Sequence, residues 1–186
     1  MKRFLSFILA AVTIVIASPM FFLIAIVIKV DSKGPILFKQ NRYGLNGRHF
    51  VIYKFRSMKI DTPNLATDKI TDPNKYITRV GKFLRKTSLD ELPQLYNILK
   101  GDMEIVGPRP ALYNQYELIN LREINNVNSI RPGLTGYAQI MGRDFISDEQ
   151  KVAYDRYYLE NISFSLDMKI IFKTFINVLK VEGVKA

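Results

Sequence analysis

The sequence contains no cysteine, no tryptophan and a single histidine, His49. Without cysteine there is no disulfide framework and no thiolate metal site, and one histidine is too few for a zinc centre. A metal would have to be held by carboxylates and phosphate oxygens, a donor set that suits Mg²⁺. No Walker loop and no GxGxxG run is present, so the common nucleotide-cradling loops are excluded. Acids are scarce: 17 Asp and Glu stand against 27 Lys and Arg, a formal net charge of +10. That balance favours an anionic partner, whether nucleic acid, anionic lipid or a phosphorylated substrate. The 186 residues suffice for one domain with a modest core, and no internal repeat or low-complexity tract interrupts them.

Phe4 to Ile28 is uncharged and almost wholly apolar. Its length would cross a bilayer, which takes roughly 20 residues of helix. Two features argue against a plain span. Ser18-Pro19 sits in the middle, where proline removes a backbone hydrogen bond and kinks a helix. Lys2 and Arg3 precede the run, and Lys29 and Lys33 follow it, so the positive-inside tendency holds both flanks in the cytoplasm. A helix that enters, bends at Ser18-Pro19 and returns satisfies both; a kinked ordinary span is the alternative. A cleaved signal peptide fits worse, because its apolar region runs to only about 7–15 residues. The chain then divides into a membrane segment, 1–33, and a second unit, 34–186.

Ile36 to Met58 reads as a β-hairpin turning at Asn46-Gly47. It is strongly basic, with Lys54 and Arg56 near its end, and suits lipid headgroups, a phosphate-binding wall, or plain solvated strands. Ile60 to Thr78 is polar and longer than a typical connection; it is a substrate-covering loop or a passive one.

The richest stretch is Arg85 to Pro110, RKTSLDELPQLYNILKGDMEIVGPRP. Asp90 and Glu91 are adjacent carboxylates just after Arg85 and Lys86. Ser88 and Glu91 have capping-box spacing, which predicts a helix start there. Pro93 disfavours a helical Leu92, which predicts a start at Pro93 instead, with the carboxylates in the preceding turn. Leu92, Leu95, Tyr96 and Leu99 share a helical face, and Gly101 stops the helix. In Gly107-Pro108-Arg109-Pro110 the prolines restrict the backbone and aim the Arg109 guanidinium at a fixed point, which suits a diphosphate or is simply a rigid turn with an exposed arginine. A helix is predicted over 111–126. Arg131, Gly133 and Gly136 mark tight turns, where glycine either admits a phosphate to backbone N–H groups or simply allows the turn. Arg143 is a further candidate anion contact. Asp155 precedes a tyrosine pair, Tyr157-Tyr158, suited to a membrane interface. Over 166–181, Lys169, Lys173 and Lys180 oppose Ile170, Phe172, Phe175, Ile176 and Leu179. That is a basic amphipathic helix for the headgroup plane, or a core helix with its lysines outward.

These motifs, IYKFRSM (Ile52–Met58), the Asp90-Glu91 stretch, GPRP, RPGLTGYAQ (Arg131–Gln139) and GRD (Gly142–Asp144), occur in the order seen in the bacterial sugar transferases. The chain resembles that family, the small monotopic phosphoglycosyl transferases, over nearly its whole length. The resemblance implies a mainly α protein with a small β-hairpin, an N-terminal re-entrant helix and surface amphipathic helices, on the cytoplasmic face of the bacterial inner membrane. It implies transfer of a sugar 1-phosphate from a UDP-sugar to undecaprenyl phosphate, with release of UMP. Asp90 would be the nucleophile, forming an aspartyl phosphosugar, and Glu91 would ligate Mg²⁺. Arg85, Lys54, Arg56, Arg109, Arg131 and Arg143 would bind phosphate, with Asp155 as a supporting acid. The partners implied are the UDP-sugar, undecaprenyl phosphate and membrane lipids rather than nucleic acid, with a homodimer as the candidate assembly.

FRSMKIDTPNLATD (Phe55–Asp68) and GPRPALYNQYELI (Gly107–Ile119) resemble the branch that initiates capsular polysaccharide. That implies an N-acetylated 6-deoxyhexose donor, with a UDP-diacetamido-trideoxyhexose for glycoprotein glycans as the alternative. Tyr137 stands where many relatives carry tryptophan. Two other classes remain open from the residues alone: a membrane-tethered nucleic-acid or anionic-lipid binder, and a scaffold that has lost catalysis. UMP release separates both from the enzyme.

Overall fold

The computed structural model describes residues 2–63, 72–142 and 145–180. Helices dominate, and the strands form only two small sheets. Helix α1, Lys2–Asp31, is a single helix of 30 residues that runs through Pro19. The break expected at Ser18-Pro19 does not interrupt it. Proline cannot donate to the carbonyl four residues back, that of Val15. The Ser18 hydroxyl donates to that carbonyl instead, at 2.8 Å.

Little of α1 is buried. Ala10 packs with Leu95, Ile98 and Met103, and Ile24 and Ile28 pack with Phe55 and Leu84. Val15, Ile16 and Phe22 are largely exposed. Both ends are bonded to the rest of the protein. At the start, Arg3 donates to the carbonyls of Met103 (3.1 Å) and Leu99 (3.3 Å), and Lys2 pairs with Asp167 at 3.2 Å. At the other end, Asp31 accepts from the Val80 amide at 3.2 Å.

Strands β1, Leu37–Tyr43, and β2, His49–Phe55, form the expected antiparallel hairpin, in register from Leu37 opposite Phe55 to Tyr43 opposite His49. Asn46 and Gly47 take positive φ, as this turn requires. The Tyr43 amide bonds the carbonyl of Ala111, which ties the hairpin to the segment after the GPRP turn. Of the 60–78 segment, the part over 64–71 lies outside the described residues. Its neck is closed by bonds from the Lys59 amide to Tyr76 and from the Thr78 amide to Ser57.

Helix α2, Arg79–Lys86, is capped by Thr78, whose hydroxyl accepts from the Gly81 amide. Helix α3, Gln94–Lys100, ends at Gly101 with φ 94°, the stop read from the sequence. Strand β3, Glu104–Val106, pairs in parallel with β4, Gly133–Thr135, a non-local sheet the sequence did not announce. Glycine is obligatory at this junction: a Cβ on Gly133 would lie 2.1 Å from the Gly107 nitrogen, and one on Gly136 2.2 Å from the Gly107 oxygen. Close backbone-on-backbone packing is a third use of these glycines, beside the two read from the sequence.

Helix α4, Tyr116–Ile124, is shorter than predicted, because the chain leaving Pro110 first bridges to β1. Helix α5 is Tyr137–Met141, α6 is Asp148–Glu160 and α7 is Phe164–Lys180. In α7 only Ile170 is fully buried; Phe172, Phe175 and Leu179 are exposed. The tyrosine pair of α6 divides. Tyr157 stacks on Tyr137 and stays half-exposed, whereas Tyr158 is buried and donates to Asp167 at 2.6 Å, so it does not face a membrane interface.

Candidate active site

Asp90 and Glu91 lie on a 3-10 turn, Leu89–Glu91, between α2 and α3. Ser88 enters it at φ 56°, a left-handed conformation, and its side chain makes no capping bond. The capping box expected from Ser88 and Glu91 is therefore absent. The other expectation holds, with Pro93 capping α3 and the carboxylates before it. Leu89 and Leu92 pack into the cluster around Ile24, Ile28, Phe55 and Leu84, which pins the turn from below.

Two cations converge on Glu91. Lys54, from β2, places Nζ 2.8 Å from Oε1. Arg109, from the GPRP turn, donates from Nη2 to Oε1 at 2.9 Å and from Nη1 to Oε2 at 3.5 Å. The fork is the geometry that guanidinium and carboxylate favour. Asp90 is also buried, but its charge is balanced at longer range by Lys54, Arg85 and Arg109.

These surroundings drive the two acids apart. Burial pushes the Asp90 carboxyl above its ordinary range, assisted by the Glu91 charge, and Lys54, Arg85 and Arg109 only partly oppose it. Burial also raises Glu91, but Arg109 and Lys54 outweigh it and hold Glu91 well below the usual carboxylate range. Glu91 is thus a fixed anion with its own counter-ions, and Asp90 is the less neutralised, more basic carboxylate. Adjacent carboxylates with opposite shifts are suited to different roles. Burial lowers Lys54, and Glu91 restores part of the loss.

The structure brings together Asp90, Glu91, Lys54, Arg109 and, through its attraction to Asp90, Arg85. Two other expected phosphate ligands are engaged elsewhere. Arg56 is buried and donates to the carbonyls of Ser32 and Lys33, closing the C-terminus of α1. Arg131 donates from Nε to the Gly101 carbonyl at 2.9 Å, behind α3. Arg143 lies outside the described residues. Asp155 is buried against Arg122, from which it accepts two bonds, at 2.7 and 3.1 Å.

One neighbour escaped the sequence reading. Arg42, on β1, donates to the Pro110 carbonyl at 3.0 Å and to Gln40 Oε1 at 2.6 Å. Burial and the adjacent Arg109 lower it to about 9, against the pull of Glu91, so it stays charged at neutral pH. The available signal was its two-residue spacing from Gln40 on one strand face.

Among the described residues no group of three or more His, Cys, Asp or Glu forms a ready metal cage. The adjacent carboxylates nonetheless fit Mg²⁺, which takes one or two protein carboxylates and completes its shell with phosphate oxygens and water. Among the described residues, four cations stand around the two carboxylates, a balance that suits a polyphosphate.

A family model described as bacterial sugar transferase matches residues 1–181. The chain is 38% identical over 193 residues to a UDP-N-acetylgalactosamine-undecaprenyl-phosphate N-acetylgalactosaminephosphotransferase of Aeromonas hydrophila, covering 99% of this chain and 45% of the relative. It is 40% identical over 196 residues to the galactosyl transferase CpsE of Streptococcus agalactiae, covering 99% of this chain and 43% of the relative. It is 42% identical over 162 residues to the uncharacterized sugar transferase EpsL of Bacillus subtilis, covering 86% of this chain and 77% of the relative. The chain thus spans less than half of the first two proteins and about three quarters of the third.

Proposed function

Because the chain belongs to the bacterial sugar transferase family, we propose that it transfers a sugar 1-phosphate from a UDP-sugar to undecaprenyl phosphate and releases UMP. The observation that carries this reading is the split dyad: Glu91 locked by Lys54 and Arg109, beside a buried Asp90 that has no comparable clamp among the described residues. The names of the relatives, which specify UDP-sugars and undecaprenyl phosphate or galactosyl transfer, point the same way.

The chemistry follows from the charges. An Asp90 oxygen attacks the β-phosphorus of the UDP-sugar. The new O–P bond forms as the bond from that phosphorus to the bridging oxygen breaks, and UMP departs with the electron pair. The phosphate of the lipid carrier then attacks the same phosphorus and frees the Asp90 carboxylate. Lys54, Arg109 and Arg85 neutralise the equatorial oxygens as charge redistributes, an electrostatic task performed by groups already in place. Mg²⁺, when bound through Glu91, with Asp90 beside it, would supply further neutralisation of the diphosphate.

The membrane part of the reading rests on α1. Both of its ends are bonded to the same folded body, so its two flanks belong on one side of a bilayer. That supports a re-entrant anchor on the cytoplasmic face of the inner membrane. The exposed phenylalanines of α7, next to Lys169 and Lys173, supply a second membrane contact. For the donor we propose an N-acetylated 6-deoxyhexose, serving the first membrane step of a capsule-like glycan.

The test is UMP release by purified protein with undecaprenyl phosphate and Mg²⁺. The donors are UDP-glucose, UDP-galactose, both UDP-N-acetylhexosamines and their 6-deoxy forms. No UMP from any donor sinks the reaction class. A clear preference for a 6-hydroxylated or non-acetylated sugar overturns the donor alone.

A further inference from the structure

The buried pair Arg122–Asp155 takes no part in the steps above, yet it touches the machinery that does. Asp155, on α6, is 1% exposed, and Oδ2 accepts from Nε (3.1 Å) and Nη2 (2.7 Å) of Arg122, on α4. The third arm of that guanidinium, Nη1, donates to the carbonyl of Arg109 at 2.7 Å. Arg42 does the same for the next carbonyl, that of Pro110, at 3.0 Å. Two arginines therefore hold consecutive carbonyls of the GPRP turn from behind, while the Arg109 guanidinium reaches forward to Glu91.

The turn needs such help. Pro108 and Pro110 have no N–H, so the peptide joining Arg109 to Pro110 carries an acceptor and no donor. Its plane is fixed by whatever grips its oxygen, and Arg122 is that grip. Stability alone does not call for an ion pair here, because well-packed apolar residues of similar volume usually serve a core equally well. What an apolar pair cannot do is donate to the Arg109 carbonyl.

We infer that Asp155 and Arg122 are positioning residues: Asp155 orients Arg122, Arg122 fixes the Arg109 peptide, and Arg109 thereby holds Glu91 in place. The inference rests on the proposed transfer reaction for its activity readout and extends it to a carboxylate that never meets substrate.

The experiment uses the full chain in nanodiscs, with the UDP-sugar of the panel above that wild-type protein turns over fastest. Arg122→Met combined with Asp155→Leu restores an apolar core and removes the grip. We expect a folded protein whose kcat falls about 10²-fold, the order of loss that an ångström of misplacement causes, with KM for the donor little changed. Arg122→Lys, which keeps a donor, should recover part of that loss. Val152→Ala, a buried truncation on the same helix, should lower the melting temperature and spare kcat. In an Arg109→Ala background the double replacement should cost no further activity. Asp155→Asn should lower the pH–rate profile without removing a limb.

Wild-type kcat in the folded double variant overturns the inference, as does an undiminished loss in the Arg109→Ala background or a vanished pH limb in Asp155→Asn. A wild-type chain that releases no UMP would sink the reaction reading instead. The same cycle read in unfolding free energy then decides: non-additivity between the double replacement and Arg109→Ala supports the relay, and strict additivity ends it.

Discussion

Lys54 Nζ and Arg109 Nη2 converge on one atom, Oε1 of Glu91, at 2.8 and 2.9 Å. Glu91→Gln leaves both cations facing a neutral amide. Removing one partner from a buried ion pair costs about 3–5 kcal/mol, and the cost here should fall below that range because Arg109 is about a third exposed and screened. The folded pKa of Glu91 lies below the ordinary 4.5, so its stabilisation is complete above that value and is lost as pH falls through the folded value. The variant should therefore melt lower at neutral pH and show a flatter acid limb in a plot of melting temperature against pH. UMP release should fall, and its Mg²⁺ dependence should weaken. An acid limb as steep as wild type would show that Glu91 is not so paired.

Asp90 carries the opposite sign. Its folded pKa is raised, chiefly by burial, so its contribution is fully present below the unfolded value of 3.8 and is lost as pH climbs through the folded one. At neutral pH the group is a burden on the fold, because folding must either bury its charge or take up a proton. Asp90→Asn should abolish both turnover and trapping of a phosphosugar on the protein, yet raise the melting temperature at pH 7. The gain should disappear below about pH 3.8. Full activity in this variant would remove Asp90 as nucleophile; a lower melting temperature at pH 7 would show that its charge is well compensated.

Gly133 tests the junction beneath the GPRP turn. An added methyl would sit 2.1 Å from the Gly107 nitrogen and 2.4 Å from the Thr135 oxygen, both backbone atoms with little room to retreat. Gly133→Ala should cost about 1–3 kcal/mol in chemical denaturation, as overpacking commonly does, and lower kcat with it, since the same turn presents Arg109. Wild-type values for both would mean that the two backbones can part without disturbing the site.

The membrane reading makes a topological prediction. Single cysteines near Lys2 and Lys33 should both react with an impermeant reagent applied from the cytoplasmic side. Pro19→Ala should shift a fraction of molecules to opposite-side labelling, because a residue 19 that can donate to the Val15 carbonyl stiffens the middle of the helix and a stiffer helix spans more readily. Opposite-side labelling in the unsubstituted background would establish a true span and remove the re-entrant anchor.

What the sequence disclosed was local. Asn46-Gly47 turns the hairpin because the positive φ is set by two residues and their strands. Gly101 ends α3 for the same reason. The Asp90-Glu91 dyad and Arg109 were readable as a motif, but their mutual geometry was not. Arg56 and Arg131 carry the charge expected of phosphate ligands, and only distant backbone carbonyls reveal that they close helix ends. The parallel β3–β4 pair joins segments far apart in sequence through three-residue strands too short to leave a pattern. Arg42 and Arg122 looked like ordinary basic residues, since their importance lies in carbonyls contributed by another part of the chain.

The attachment of α1 at both ends has a mechanical consequence. A domain hung from a membrane by one flexible joint samples many tilts, and its active site meets the bilayer only part of the time. Here Arg3 grips the end of α3 while Asp31 grips the start of α2, and the carboxylate turn lies between those two helices. Once the anchor is seated, tilt and height are set together. On the proposed reading, with α1 as the anchor and Asp90 as the nucleophile, the reacting carboxylate would wait at one depth, and a lipid-borne acceptor would reach it by lateral diffusion alone, with no swing of the protein in the rate.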